Sequence, residues 1–369
     1  MAKFVISKNL DGTGHHLFLL RRLRAYLDAN VPMELITPMS NNEVVRAQLD
    51  TNEDFSTMYL GRSASQLFLK ALIKPDLLLG NKTETKVSLI HDDVNWRDLI
   101  FYIFFAVRLI ISDRKQDIPR IKIVFRYTFT KKIKKFLYGK TLKLLSVLGY
   151  EVTSDSIDIL SYWNLLDNSK QYVIPVNLAQ LFPIILSVNP DHDLQTTVLG
   201  ERDIRVGVPG ILRIDKGLTD VLALNENDLE GIDLRVNLPN SVKSENLKIT
   251  EFGKFDNDEH YSQALSKLDF QLFWFDAERY RHATSSTFFE ALISGVVPLT
   301  RTGTFCATIL ERSKLSQLIF DDIADAMSFA RMTSKAKIVN SIEFQDLRTA
   351  TKVQFSEKII QETLRRLTE

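Results

Sequence analysis

The feature that most constrains this chain is an alternation of short apolar runs with amphipathic stretches, kept up almost from end to end in two series. In the first, Lys3–Ser7, Met33–Thr37, Val87–His91 and Ile121–Tyr127 read as strands and take turns with helical periodicity over Leu17–Ala29, Ala64–Ile73, Leu99–Ile111 and Lys131–Leu148. The short runs Glu151–Ser154 and Gln171–Asn177 close that series. The second places strands at Ile204–Val208, Leu234–Leu238, Leu247–Thr250, Phe270–Phe275, Val296–Leu299 and Leu318–Phe320. Strands separated by helices pair in parallel, because each crossover lays its helix on a face of the sheet. Between the two series, residues 180–203 lack periodicity and carry Pro183 and Pro190, as a connection between domains does. The expected fold class is α/β, with two Rossmann-like domains facing across a cleft. Residues 1–180 form the first domain, 181–203 the linker and 204–354 the second domain. The amphipathic helix Phe355–Leu367, within residues 355–369, is expected to pack back on the first.

A length of 369 residues agrees with two cores rather than one. With 45% apolar and 25% charged residues the composition is that of an ordinary soluble protein, and a net charge of +1 argues neither for nor against nucleic acid. The lone Cys306 excludes an internal disulfide framework and a multi-cysteine metal site. The opening MAKFVISKNL reads as a strand and a polar loop rather than a signal peptide, and the most apolar run, Leu99–Ile111, holds Arg108 and is too short to cross a bilayer. A cytoplasmic protein is expected.

Chemistry concentrates in the loops that follow strands. The stretch ERYRHATSSTFFEALISGVVPLTRTG, residues 278–303, reads as a loop, a short helix from Phe288 to Ser294, a left-handed stop at Gly295 and a buried strand. Ser285, Ser286 and Thr287 stand where that helix begins, and a helix N-terminus aimed into a cleft favours an anion. Glu290, one turn in, has two readings: a ligand to a sugar hydroxyl, or the glutamate of a Thr287-x-x-Glu290 capping box. In PGILRIDKG, residues 209–217, Arg213 and Lys216 precede an expected helix Leu218–Leu224 and supply two cations suited to a departing diphosphate; the alternative is a solvated loop with an Asp215–Lys216 charge pair. The loop Asp11-Gly12-Thr13-Gly14-His15-His16 lets the backbone approach a ligand, but lacks the third glycine of the dinucleotide fingerprint. Asp11, His15, His16, His91 and Asp92 are candidate acceptor-side groups or bases. Two Asp-x-Asp strings, at Asp191/Asp193 and Asp256/Asp258, fit turn chemistry better than a metal, and no metal site is expected.

From Arg120 to Lys143 the chain carries nine basic residues and no acidic one, interleaved with Phe129, Ile133, Phe136, Leu137 and Leu144. A basic amphipathic helix of this kind suits an anionic membrane surface, contacted through Lys131, Lys132, Lys134 and Lys135, which would place the protein peripherally on the inner face of the membrane. Nucleic acid is the rival reading; no recognised module accompanies it and none is expected as a partner.

Taken in order, VGVPGILRIDKG (206–217), ITEFGKF (249–255), LDFQLFWFD (268–276) and FFEALISGVVPLTRTG (288–303) resemble the second domain of GT-B glycosyltransferases of the large retaining class often called family 4, with a looser match through DGTGHH and the stretches VTSDS and QYVIPVN in the first half. The resemblance implies a metal-independent, retaining transferase that needs no cofactor and takes a nucleotide-diphosphate sugar, with a UDP- or GDP-sugar expected. The acceptor would be a glycan or a lipid-linked molecule, in polysaccharide or glycolipid assembly. It implies Glu290 on the ribose, Lys216 and Arg213 on the diphosphate, the backbone around Ser285, Ser286 and Thr287 on phosphate, Gly12, Thr13 and Gly14 approaching from the first domain, and Lys254 and Phe255 near the nucleobase. The family's second glutamate, eight positions before Glu290, is His282 here. Its arginine, five positions before the lysine, is Ile211, and the histidine of a first-domain strand is missing from VFRYTF. A catalytically silent subunit that scaffolds a partner transferase, and a sugar-nucleotide epimerase, are the competing readings.

Overall fold

The computed structural model describes residues 2–5, 33–39, 56–60, 62–79, 88–91, 94–125, 129, 131–154, 157–163, 165, 203–239, 242, 249–253, 255 and 258–368. The chain divides into two compact units, Met1–Ile185 with Glu357–Glu369, and Leu186–Ser356.

The first unit is built on strands β1 (Ala2–Val5), β2 (Met33–Thr37), β3 (Ser56–Tyr59), β4 (Ser88–His91), β5 (Ile121–Val124) and β6 (Glu151–Thr153), paired in parallel in the order β3-β2-β1-β4-β5-β6. Its described helices within residues 1–185 are α1 (Ala64–Ile73), α2 (Asp76–Leu79), α3 (Trp96–Ile111), α4 (Lys132–Leu148) and α5 (Ile157–Tyr162). The expected helix Leu17–Ala29 and the closing segment Gln171–Asn177 lie outside the described residues. Helix α3 starts three residues before the expected Leu99, because Asn95 and Asp98 form a reciprocal capping box, the Asn95 N–H donating to Asp98 at 2.8 Å. Its buried stripe of Leu99, Tyr102, Phe105, Ala106 and Leu109 packs on a sheet whose strand β5, next to the edge strand β6, is buried along its whole length. Gly149, at φ 100°, ends α4 in the left-handed conformation.

The second unit has strands β7 (Ile204–Ile211), β8 (Ile232–Asn237), β9 (Ile249–Thr250), β10 (Phe270–Phe273), β11 (Val297–Arg301) and β12 (Ile319–Phe320), in the order β12-β11-β10-β7-β8-β9 and again parallel. Helices α6 (Leu218–Leu222), α7 (Asp258–Ser266), α8 (Ser286–Ile293), α9 (Phe305–Arg312), α10 (Ile323–Met332), α11 (Lys335–Val339) and α12 (Ile342–Gln354) cover it, and α13 (Glu357–Thr368) belongs to the first unit. Counted from the first strand of each unit, both sheets follow the order 3-2-1-4-5-6, the doubly wound arrangement. The order reverses between β1 and β4 in one unit and between β7 and β10 in the other, so the ligand-binding position of each sheet lies beyond the carboxyl ends of those strands.

Strand β7 runs three residues beyond the expected Val208. Its pairing to β8 shifts between Val208 and Ile211, where Gly210 takes φ 109° in a bulge that redirects the strand's carboxyl end.

Candidate functional site

The switch point of the second unit brings together two loops far apart in sequence. The loop after β7 turns through a 3-10 segment, Ile214–Lys216, and Gly217 at φ 87°. A Cβ on Gly217 would stand 2.7 Å from the Trp274 carbonyl oxygen, so the close approach of this loop to the end of β10 requires glycine. The backbone N–H of Asp276 donates to the Asp215 carbonyl at 3.0 Å and ties the two loops directly. Asp276 also accepts from the N–H of Arg279 at 2.7 Å, a local turn that aims Arg279 back at the first loop.

The outcome is a cationic group ordered around one carboxylate. Asp215 takes Arg279 at 2.8 Å, Arg213 at 3.3 Å and the Tyr280 hydroxyl at 3.1 Å. Burial, then the Asp215 charge, pushes the Tyr280 phenol above its ordinary value, so it remains a donor. The Asp215–Lys216 charge pair considered for this loop is replaced by these two arginine pairs. Lys216 is half-buried and has no ion pair among the described residues. Burial holds its pKa below the ordinary lysine value, the neighbouring Arg213 and Arg279 cations act in the same direction, and Asp215 opposes them. A cation in that state gains from an incoming anion more than a solvated one does.

Helix α8 follows Arg279 and Tyr280 along the same chain segment. Ser285 is its N-cap, and its side chain makes no capping bond; its Oγ lies 2.9 Å from Thr287 Oγ1 instead. The first-turn N–H groups are thus not taken by a side-chain cap, in the form an anion uses. The capping-box reading of Glu290 is corrected here: with Ser285 as N-cap, Glu290 sits five residues in, beyond reach of the cap N–H. Phe288 to Ile293 are all buried, and Glu290, 2% exposed, places a carboxylate in that apolar helix. The Tyr261 hydroxyl of α7 donates to Glu290 Oε2 at 2.8 Å, and the Tyr261 ring meets Phe255 edge-on at 5.3 Å. Tyr261 thereby links Phe255 to Glu290. The helix ends as expected at Gly295, φ 59°: Val296 N–H donates to Ala291 and Gly295 N–H to Leu292, and Arg348 of α12 donates to the Ile293 carbonyl at 3.0 Å.

Of the other candidates, His282 is half-buried in the loop before α8, and Ile211 is exposed at the end of β7. Asp11, Gly12, Thr13, Gly14, His15, His16, Asp92 and Lys254 lie outside the described residues, as do Asp191, Asp193 and Asp256. His91 does not meet the requirement for an accessible base. It is 0% exposed, with Nδ1 2.9 Å from the Tyr102 hydroxyl and Nε2 3.8 Å from Asp98, and is a core group at the end of β4. Arg279, Tyr261 and Tyr280 join the site without having been read from the sequence. Among the described residues no cluster of metal-ligating side chains occurs.

Neither a family model nor a curated protein sequence matches the chain. Solved structures do. An OtsA apo structure aligns with a TM-score of 0.60 at 13% identity, over 100% of this chain and 99% of that one. The N-terminal domain of Candida albicans trehalose-6-phosphate phosphatase aligns at 0.59 and 13%, over 98% and 94%. A UDP-forming α,α-trehalose-phosphate synthase from Burkholderia vietnamiensis aligns at 0.55 and 12%, over 99% of each. At these identities the likeness shows the fold: an α/β chain of two Rossmann-like units, of the GT-B type.

Proposed function

We infer that this chain is a glycosyltransferase that takes its sugar from a nucleotide-diphosphate donor held by the second unit. The observation that carries this reading is the gathering of Arg213 and Arg279 on Asp215, beside Lys216, in the loops that follow β7 and β10 at the switch point of the sheet, with the N-terminus of α8, free of a side-chain cap, next along the chain from Arg279. The diphosphate lies against these cations and the α8 N–H groups, the ribose hydroxyls reach Glu290, and the base lies toward Phe255. Catalysis consists of positioning the donor and stabilising the negative charge that develops on the leaving diphosphate, a task for fixed donors and cations. No metal enters this scheme. A retaining outcome, which the resemblance to family 4 supports, needs no side-chain nucleophile, since the leaving phosphate accepts the acceptor's proton on the same face of the sugar. His282 stands at the position where the family has its second glutamate, and we assign it to the donor sugar. The acceptor is a glycan or a lipid-linked molecule of polysaccharide or glycolipid assembly.

The test is a thermal-shift panel of nucleotide sugars followed by turnover and by NMR of the product anomer. One donor is expected to stabilise the protein and be consumed, and Lys216→Ala to abolish both effects. His282 and the exposed Ile211, where the family has an acid and an arginine, favour a second reading, a silent subunit that binds nucleotide and scaffolds a partner. Nucleotide binding without turnover of any donor, with or without acceptor, would select it; interconversion of donor sugars with no acceptor present would select an epimerase.

A further inference from the structure

The first unit carries a surface that the donor site does not use. Helix α3 packs against both α1 and α4, and the outward sides of these three helices are unusual in two respects. Of the 16 large apolar side chains exposed among the described residues, 11 lie on α1, α3 and α4, including Phe104 and Ile111 of α3 and Ile133, Phe136 and Val147 of α4. Every charged side chain on the three helices is basic except Asp98, which is fully buried. The cations are Lys70, two arginines of α3 and five lysines of α4. Helix α4 shows the design most plainly. Thr141, Leu142 and Leu145 face the core, and Ile133, Leu137, Leu144 and Val147 form an outward stripe with Lys140 in its line and Lys132 and Lys143 along its edge. Residues 131–137, Lys-Lys-Ile-Lys-Lys-Phe-Leu, are exposed without interruption, Ile133 at 76%.

We propose that this three-helix face seats the protein on the surface of an anionic lipid bilayer, with the apolar side chains entering the headgroup boundary and the lysines reaching back to lipid phosphates. The chemistry separates this occupant from others. Lysine is depleted from the cores of protein–protein interfaces, yet here Lys140 interrupts the apolar stripe; a long stem that runs along apolar surface while its ammonium meets phosphate suits a bilayer interface. A nucleic-acid surface calls for cations but not for exposed Ile133, Phe136 and Val147 between them. No described helix is long and apolar enough to cross a membrane, so the contact proposed is one of lying on the surface.

The experiment is co-sedimentation of the full chain with phosphatidylcholine vesicles and with mixed phosphatidylcholine–phosphatidylglycerol vesicles, at low and high salt. Binding to the mixed vesicles alone, weakened by salt and by about fivefold for each of Lys132→Gln, Lys134→Gln and Lys140→Gln, is expected. Phe136→Ser and Val147→Ser are expected to weaken it further at an unchanged melting temperature, since both side chains stand in solvent. Absence of binding, or equal binding to phosphatidylcholine alone, overturns the proposal. So does self-association in sedimentation velocity that Phe136→Ser abolishes without any vesicle binding, which would make a second copy the occupant. Duplex DNA binding that the lysine variants reduce and Phe136→Ser leaves intact, again without vesicle binding, overturns it in favour of nucleic acid. None of these outcomes depends on donor turnover.

Discussion

Lys216 concentrates the consequences that a single side chain can have. Its pKa in the folded chain lies below the ordinary 10.5, for reasons of burial first and of the adjacent arginines second. The charged form is therefore penalised by folding. The penalty is fully present at pH values below the folded pKa and is relieved as pH rises through it toward 10.5, the reverse of a lysine that gains a partner on folding. Two outcomes follow. Replacing Lys216 with Met is expected to raise the melting temperature of the free protein while removing its response to nucleoside diphosphates, a weakening of about 10- to 100-fold for the loss of one charge-assisted contact. Calorimetry of the wild-type chain is expected to show nucleotide affinity falling on the alkaline side before pH 10.5 is reached, and Lys216→Arg to flatten that fall, because a guanidinium does not titrate there. Glu290 has a different signature. If it holds the ribose, Glu290→Gln weakens a nucleoside diphosphate and leaves inorganic pyrophosphate unaffected, whereas Lys216→Ala weakens both; equal losses for the two ligands would remove Glu290 from that role. Lys216, Arg213 and Glu290 were legible because each sits in a contiguous motif beside a strand end. Arg279 was not, because the local Asp276–Arg279 turn reaches Asp215 only through a backbone hydrogen bond between two loops far apart in sequence.

Among the elements, two glycines decide whether the site keeps its shape. Gly295 closes α8 with paired hydrogen bonds in a left-handed conformation, and Gly295→Ala is expected to cost about 1–2 kcal/mol of stability in chemical denaturation while leaving ligand binding near normal. Gly217 combines φ 87° with a Cβ position 2.7 Å from the Trp274 carbonyl, so Gly217→Ala has to move the loop that holds Lys216 as well as strain it. Its denaturation midpoint is expected to fall further than that of Gly295→Ala, and its nucleotide response to be lost at temperatures where the variant is still folded. The stop at Gly295 and the strand after it were readable from the pattern serine–apolar run–glycine–valine. The capping box was a false reading for an instructive reason: three hydroxyl residues in a row, Ser285, Ser286 and Thr287, each qualify as an N-cap, and the register is set by how Phe288, Phe289 and Ala291 bury against the core, not by the hydroxyls. Helix α3 was read short for a similar reason, since Trp96 breaks no period but Asn95 and Asp98 fix the start.

At the scale of the whole chain, the alternation of strand and helix was enough to expect parallel sheets in two units, and both sheets are parallel throughout their described pairs. The order of the strands was out of reach, because alternation states which elements are neighbours in sequence while the reversal between the first and fourth strands is a property of packing. The edge strand β3, Ser-Thr-Met-Tyr, was missed outright; short and only partly covered, it lacks the apolar run that marked β5 and β10. The same limit explains why the acidic-free apolar face of the first unit was seen only as one helix: α3 comes against both α1 and α4 by folding. Where the function resides at this scale is open to direct measurement. If the switch point of the second sheet is the donor site, hydrogen–deuterium exchange of the full chain with a nucleoside diphosphate is expected to slow in two peptides, residues 211–218 and 276–290, because their backbones are joined at Asp276 and Asp215 and both face the ligand. The strand β5 and helix α3 of the first unit, which belong to the other sheet's unit, are expected to be unchanged. Protection of only one of the two loops would mean that the cations and the α8 N-terminus do not bind a common ligand, and the donor site as assembled here would have to be given up.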